Sequence, residues 1–218
     1  MRYLLSAYNY DLSDPNSIPN LLAQHLAIVG LAMLISIAIA VPLGLLAARY
    51  RRFFLPVVTL AGLLYSIPSL ALIAVLITIT GLSLSTIIIP LVLYNQLVLV
   101  RNIVAGIAAV DPLLVEVAEA LGMNRPQVLL RVTLPLALPV IVAGIRLATV
   151  TTIGIASLAG FIGQGGLGAL IFMNITTSDF DAIAAGAILL AFLAIAADLL
   201  LLALQTALNR GRHAPVVA

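Results

Sequence analysis

No residue between Leu26 and Ala48 carries a charge, and that run restricts the chain more than any other feature. About 20 apolar residues in helical form cross the hydrocarbon of a bilayer. A helix that is apolar on every side offers no water-facing stripe to a soluble fold. After this first span, at about 26–48, four similar stretches follow at about 55–79, 86–109, 136–158 and 183–208. Their interruptions are few: Arg101 in the third, Arg146 in the fourth and Asp198 in the fifth. Only 8% of the chain is charged and 63% is hydrophobic, where soluble domains average about 25% charged. The expectation is an all-α integral membrane protein of about five transmembrane helices, one domain over residues 1–218 without an internal repeat.

The charges orient the chain. All ten basic residues are arginine; with no lysine there is no Walker A loop, so the chain does not hydrolyse ATP itself. The absence of cysteine removes disulfides, thiolate catalysis and Cys-based metal sites. Arg49, Arg51, Arg52, Arg125, Arg131, Arg210 and Arg212 fall on one side of a five-span topology, and Arg2 with Asp11, Asp14, Asp179 and Asp181 on the other. By the positive-inside rule the N-terminus lies outside and the C-terminus is cytoplasmic. The net charge of +2 follows from topology, not from binding nucleic acid. The apolar run after Arg2 is too short for a signal-peptide core, so residues 1–20, with Tyr3, Tyr8 and Tyr10, read as an exposed N-terminal segment.

Asp111–Pro135 is the longest interval that is neither lipid-like nor a short turn. Asp111-Pro112 is a helix start, since Asp accepts orphan N–H groups and Pro fits the first helical position. Gly122 stops that helix. Asn124 starts a second, with Pro126 in its first turn. This predicts two short helices around a sharp glycine break, the second amphipathic with Gln127 and Arg131 on one face. An ordinary loop between spans and a docking element both fit, and the compact charged pair favours docking.

Other residues invite chemistry. Gly163-Gln164-Gly165-Gly166-Leu167-Gly168 matches G-x-G-x-x-G, but no strand–helix alternation surrounds it, as a dinucleotide site requires. A packing turn and a gate fit these glycines equally well. Arg146 and Asp198 are ionisable groups at membrane depth, which are functional or paired by default; their nearness to the cytoplasmic ends of their spans favours structural roles. Asn95, Thr149, Thr151 and Thr152 could line a polar path or hold helices together. His25 and His213 fall near opposite faces, so no metal site is expected, and no cofactor.

Glu116, Ala118, Gly122, Val132, Leu134 and Pro135 follow the EAA pattern: E-A-A-x-x-x-G and then, after nine residues, I-x-L-P. Val117 and Val132 depart from it conservatively. The pattern resembles that of permease subunits of bacterial ABC importers. Leu64–Leu72, Leu99-Val100-Arg101-Asn102, Val110-Asp111-Pro112, Leu134–Arg146 and Phe161–Gly168 are similar, in order and spacing, to the osmoprotectant (glycine betaine/carnitine/choline type) permeases. The resemblance implies a MetI-like ABC importer permease fold in the bacterial inner membrane. It implies a second permease subunit, identical or paralogous, two cytoplasmic ABC ATPases and an extracytoplasmic solute-binding protein as partners, with membrane lipid around them. Glu116, Ala118, Gly122, Leu134 and Pro135 would couple to the ATPase, the helix from Pro112 to Leu121 seating in it. Tyr65, Ser66, Pro68, Ser69, Tyr94, Asn95, Thr149, Thr152, Gly163, Gly165, Gly166 and Gly168 are candidates for a path or gate. The two tyrosines could meet a quaternary ammonium substrate through their ring faces. An amino-acid importer, such as one for methionine, shares the five-span plan. A small membrane enzyme would need ionisable residues clustered at one depth, which the chain lacks, so no enzymatic activity is expected.

Overall fold

The computed structural model describes residues 2–210; Arg212 and His213 lie outside them. In chain order the helices are α1 (Arg2–Leu5), a 3-10 turn (Ala7–Tyr10), α2 (Ile18–Arg49), α3 (Arg51–Ser66), α4 (Ser69–Thr80), α5 (Leu84–Ala108) and α6 (Pro112–Ala120). Then come α7 (Arg125–Val128), a π turn (Leu129–Thr133), α8 (Leu134–Ala156), α9 (Leu158–Phe161), α10 (Ala169–Ile175) and α11 (Phe180–Arg210). No strand occurs among the described residues. Four helical stretches are long and apolar enough to cross a membrane singly, and α3 with α4 reaches that length and apolarity only together, as a bent pair.

α5 is the axis of the bundle. Of its most apolar stretch 61% is buried, against none of that in α11, so α11 is peripheral. α2 and α8 flank α5, α3 and α4 pack on it from outside, and α11 packs on α8. In lipid the helices gain little from apolar transfer alone, and close backbone approach supplies the attraction. α2 provides it with Ala32, Ser36, Ala40 and Gly44, four apart and all buried. α8 does the same with Gly144, Ala148, Thr152 and Ala156. A Cβ on Gly44 would lie 2.6 Å from Ile103 Cγ2, and one on Gly144 would run into Asn102, so both α5 contacts depend on the missing side chain.

Midway along the bundle one polar cluster crosses all three helices. Asn95 Nδ2 donates to Ser36 Oγ at 3.1 Å, and the one hydroxyl proton of Thr152 is shared between Asn95 Oδ1, 3.0 Å from Oγ1, and Ala148 O, 2.6 Å from it. Ser36 also bonds back to Ala32 O in its own helix. Such hydrogen bonds specify one rotational setting of each helix, because turning any one strands the others' polar atoms in apolar surroundings.

The second span, whose sequence allows either a kink or a broken helix at Pro68, is broken there. α3 and α4 meet at 91°. Pro68 has no N–H and keeps Ile67 out of the helical region, at φ −72° and ψ 126°. Tyr94 of α5 then fixes the elbow by donating its hydroxyl to Ile67 O at 2.9 Å. The first span begins earlier than expected, at Ile18, so Ser17, Ile18, Leu21 and His25 are buried and residues 1–20 are only in part exposed. Gly44→Val is expected to push α2 from α5 and cost about 1–3 kcal/mol. Gly30→Val, where a Cβ would meet nothing within 4 Å, is expected to be near neutral. Thermal midpoints of the two variants in detergent provide the comparison.

Candidate functional site

The hairpin between α5 and α8 is built by its caps. Asp111 Oδ1 accepts from Leu113 N at 2.9 Å and starts α6. At the other end Gly122 takes φ +84°, a left-handed setting that glycine adopts without penalty. Its N–H donates to Glu119 O at 2.9 Å and Met123 N–H to Ala118 O at 3.1 Å, the paired bonds of a Schellman ending. Asn124 and Gln127 then close a reciprocal box, at 2.9 and 3.0 Å. With both ends tied, α6 is a rigid peg.

The second half of the hairpin corrects the sequence expectation. It is not a separate short helix: α7 passes through the π turn into α8, and Arg125–Phe161 is one membrane-length helical stretch. In a regular helix the Pro135 ring would collide with the carbonyl four residues back. The wider π turn immediately before it relieves that collision. Leu134 and Pro135 therefore sit half-buried inside this stretch.

On α6, Ala118 is only 4% exposed, and the helix packs on α7 and the π turn. Its other faces are bare. Leu113, Leu114, Val117 and Leu121 are 60, 44, 49 and 76% exposed, an apolar surface on the one short helix that stands off the bundle. Glu116 is exposed and makes no ion pair or hydrogen bond with a described residue, so it does not brace the loop.

The path and gate candidates outside the glycine run divide into two groups. Tyr65, Ser66 and Pro68 are exposed at the α3–α4 elbow and Ser69 is half-buried; Tyr65 lies edge-on to buried Tyr94, with ring centroids 5.7 Å apart. Asn95 and Thr152 are 3 and 1% exposed and use their polar groups on one another and on Ser36, while half-buried Thr149 bonds back to Ile145 O.

The glycine run is a clasped turn joining α9 to α10. Gly163, Gly165 and Gly166 have φ of +75°, +77° and +74°. Gly168 does not share that role: its φ is −63°, and it is there because a Cβ would collide with Ser157 O. From α2, Gln24 Oε1 accepts from Gly166 N at 3.0 Å. Gln164 Nε2 donates to Leu82 O at 3.0 Å. His25, fully buried, points Nε2 at Ile153 O, 3.2 Å away. That carbonyl can only accept, so Nε2 carries the proton, and bare Nδ1 lies where a Cβ on Gly166 would be 3.1 Å from it.

Arg146 and Asp198 pair across α8 and α11. Arg146 Nε and Nη2 donate to the two carboxylate oxygens of Asp198 at 3.0 and 2.9 Å. Nη1 donates to Gln205 Oε1 at 2.7 Å, and Gln205 Nε2 in turn donates to Pro139 O at 3.0 Å. Gln24, Ser36 and Gln205 were not singled out from sequence. Ser36 was findable, because the small residues at 32, 36, 40 and 44 mark a contact ridge; the other two bonds join residues too distant in sequence to be read locally.

A family profile described as "Binding-protein-dependent transport system inner membrane component" matches residues 40–213. The choline transport system permease protein of Bacillus subtilis is 37% identical over 96% of this chain and 93% of its own length. The osmoprotectant import permease protein of Salmonella typhimurium is 38% identical, over 94% and 98%, and a carnitine transport permease protein of Listeria monocytogenes is 41% identical, over 85% and 84%. Among solved structures, an inward-facing methionine ABC transporter has a chain of the same fold, with TM-score 0.72, 22% identity and coverage of 85% and 93%.

The paired charges yield a direct test. Breaking a part-buried pair at membrane depth from one side strands the other charge, and costs more than replacing both. Arg146→Met and Asp198→Leu singly are expected to lower stability by up to about 3 kcal/mol. The double variant is expected to recover most of that loss, as read by thermal unfolding of purified protein.

Proposed function

Because the chain belongs to the family of binding-protein-dependent transport system inner membrane components, we propose that it is the membrane-spanning subunit of an ABC importer for small quaternary ammonium osmoprotectants. Relatives at 36–41% identity carry the names choline, carnitine, glycine betaine and osmoprotectant permease. The methionine and amino-acid transporters are alike in fold alone, at 18–22% identity. The substrate class therefore follows the first group.

The observation that carries the mechanism is α6: a peg capped at both ends, apolar on its free surface, and joined through α7 and the π turn to α8. In this reading α6 seats in a groove of a cytoplasmic ATPase, which puts the hairpin and its arginines inside the cell and the N-terminus outside. ATP-driven closure of the ATPases moves α6, and α8 moves with it. α8 carries the displacement to α5 and α2 through Thr152, Asn95 and Ser36, and to α11 through Arg146 and Asp198. Alternating access then needs only two discrete packings of these helices.

Tyr65, Ser66, Pro68 and Ser69 at the elbow are the proposed path residues of this subunit. Non-helical backbone at membrane depth is stable only where protein or water covers it, and a second permease subunit facing the elbow would supply both. An external binding protein delivers the substrate, and the exposed Tyr65 ring offers it a weak aromatic surface, while buried Tyr94 supports the elbow from behind and does not face the path.

The test is to co-purify the chain with its ATPase and reconstitute both with the binding protein in liposomes. ATP hydrolysis is expected to rise with choline, glycine betaine or carnitine and not with methionine. Solute movement by the pure subunit without an ATPase would refute the proposal. Gly122→Arg is expected to abolish uptake while membrane insertion persists. The left-handed backbone costs a side-chain-bearing residue only about 1–2 kcal/mol, and nothing lies within 4 Å of the new Cβ, so the added chain obstructs docking, not folding. Uptake assays beside membrane fractionation read both effects.

A further inference from the structure

Where the end of α2 meets the end of α5 and the α6–α7 hairpin, the structure holds a cavity of about 810 Å³. Its walls are apolar: Pro42, Leu45 and Leu46 from α2, Ile107 from α5, Val128 and Leu129 from the hairpin. Its charged lining consists of Arg49, Arg125 and Glu119. Pro42, Leu46, Arg49, Tyr50 and Arg125 are exposed, so the cavity reaches the surface of the chain.

Neither guanidinium has an ion pair or hydrogen-bond partner among the described residues, and Glu119, which lines the same cavity, pairs with neither. Arg49 is held instead over the ring of Tyr50, 5.3 Å from its centroid. The first turn of α3 adds Arg51 and Arg52 beside it. Two cationic groups and one carboxylate leave the lining one positive charge in excess. It lies at the end of a membrane-length helix, the depth at which lipid phosphates sit.

We propose that this cavity binds one anionic phospholipid. The phosphodiester lies between Arg49 and Arg125, its single negative charge matching the excess, and the acyl chains run back along Leu45, Leu46 and Leu129. A protein segment seated there would have to supply an acidic group and a long apolar stripe together; a phospholipid has both in one molecule. Basic pockets between membrane helices recognise anionic headgroups through this combination. One wall is the hairpin itself, so an occupied cavity ties the hairpin to the end of α2.

The complex of this chain with its ATPase, purified and delipidated, is titrated in native mass spectrometry with dioleoyl phosphatidylglycerol, with phosphatidylcholine of the same chains, and with inorganic phosphate. One phosphatidylglycerol per permease chain is expected to survive activation that strips phosphatidylcholine. At about 1 kcal/mol per arginine near a lipid surface, apparent affinity falls roughly fivefold for R49Q or R125Q and roughly 25-fold for the pair. R49K retains the charge and most of the binding. L45W, which sets a bulky ring across the acyl-chain track and leaves both arginines, weakens retention of the bound lipid. Equal retention of the two lipids, unchanged binding in the double variant, or displacement by phosphate at similar concentration overturns the proposal. A photo-crosslinker at position 46 that captures the ATPase or a second permease chain in place of lipid overturns it as well.

Discussion

A peptide group left unpaired in hydrocarbon costs several kcal/mol, and the interest of this molecule lies where its helices nevertheless stop. At Ile67 the freed carbonyl takes a hydroxyl from Tyr94. At the glycine turn Gln24 and Gln164 bind backbone atoms across the fold. At Leu129–Thr133 the chain widens into a π turn and does not stop at all. Each interruption is stabilised by a group from another part of the chain or by a local change of helix type, so each is held in one geometry.

Between those interruptions the bundle is fastened by size and not by greasiness. α5 is gripped between two ridges of small residues, and at mid-height three side chains of modest polarity fix how the helices are turned. The arrangement is economical for a transporter. A bundle held by a few specific contacts can move between two settings of those contacts, whereas one held by bulk burial resists every displacement alike.

Much of this was legible in the sequence. The charge-free runs gave the all-helical membrane class directly, because only helices and closed barrels satisfy the backbone in lipid. Asp111, Gly122 and Asn124 were readable as caps since capping is local chemistry within four residues. The separate short helix expected after Asn124 was not legible as part of the fourth span, because nothing local reveals that the turn before Pro135 is widened to let the helix run through. The right angle at Pro68 was likewise out of reach, since sequence marks the weak point while a tyrosine on another helix fixes the elbow. Gly168 fell in a pattern with its neighbours and yet serves close packing. The bond of Gln24 to the glycine turn and that of His25 to Ile153 O in α8 join positions more than a hundred residues apart, beyond any periodicity.

The π turn has a geometric corollary. It accommodates one more residue than the regular spiral on either side, and one residue corresponds to about 100° of rotation about the axis. Side chains beyond it, among them Ala148, Thr152 and Arg146, therefore point in directions offset by that angle from where an unbroken helix starting at Asn124 would aim them. Deleting a single residue there would leave the hairpin and the span individually intact while twisting every downstream contact off its mark. The bulge thus works as a phase setting that aligns what lies outside the membrane with what lies within it.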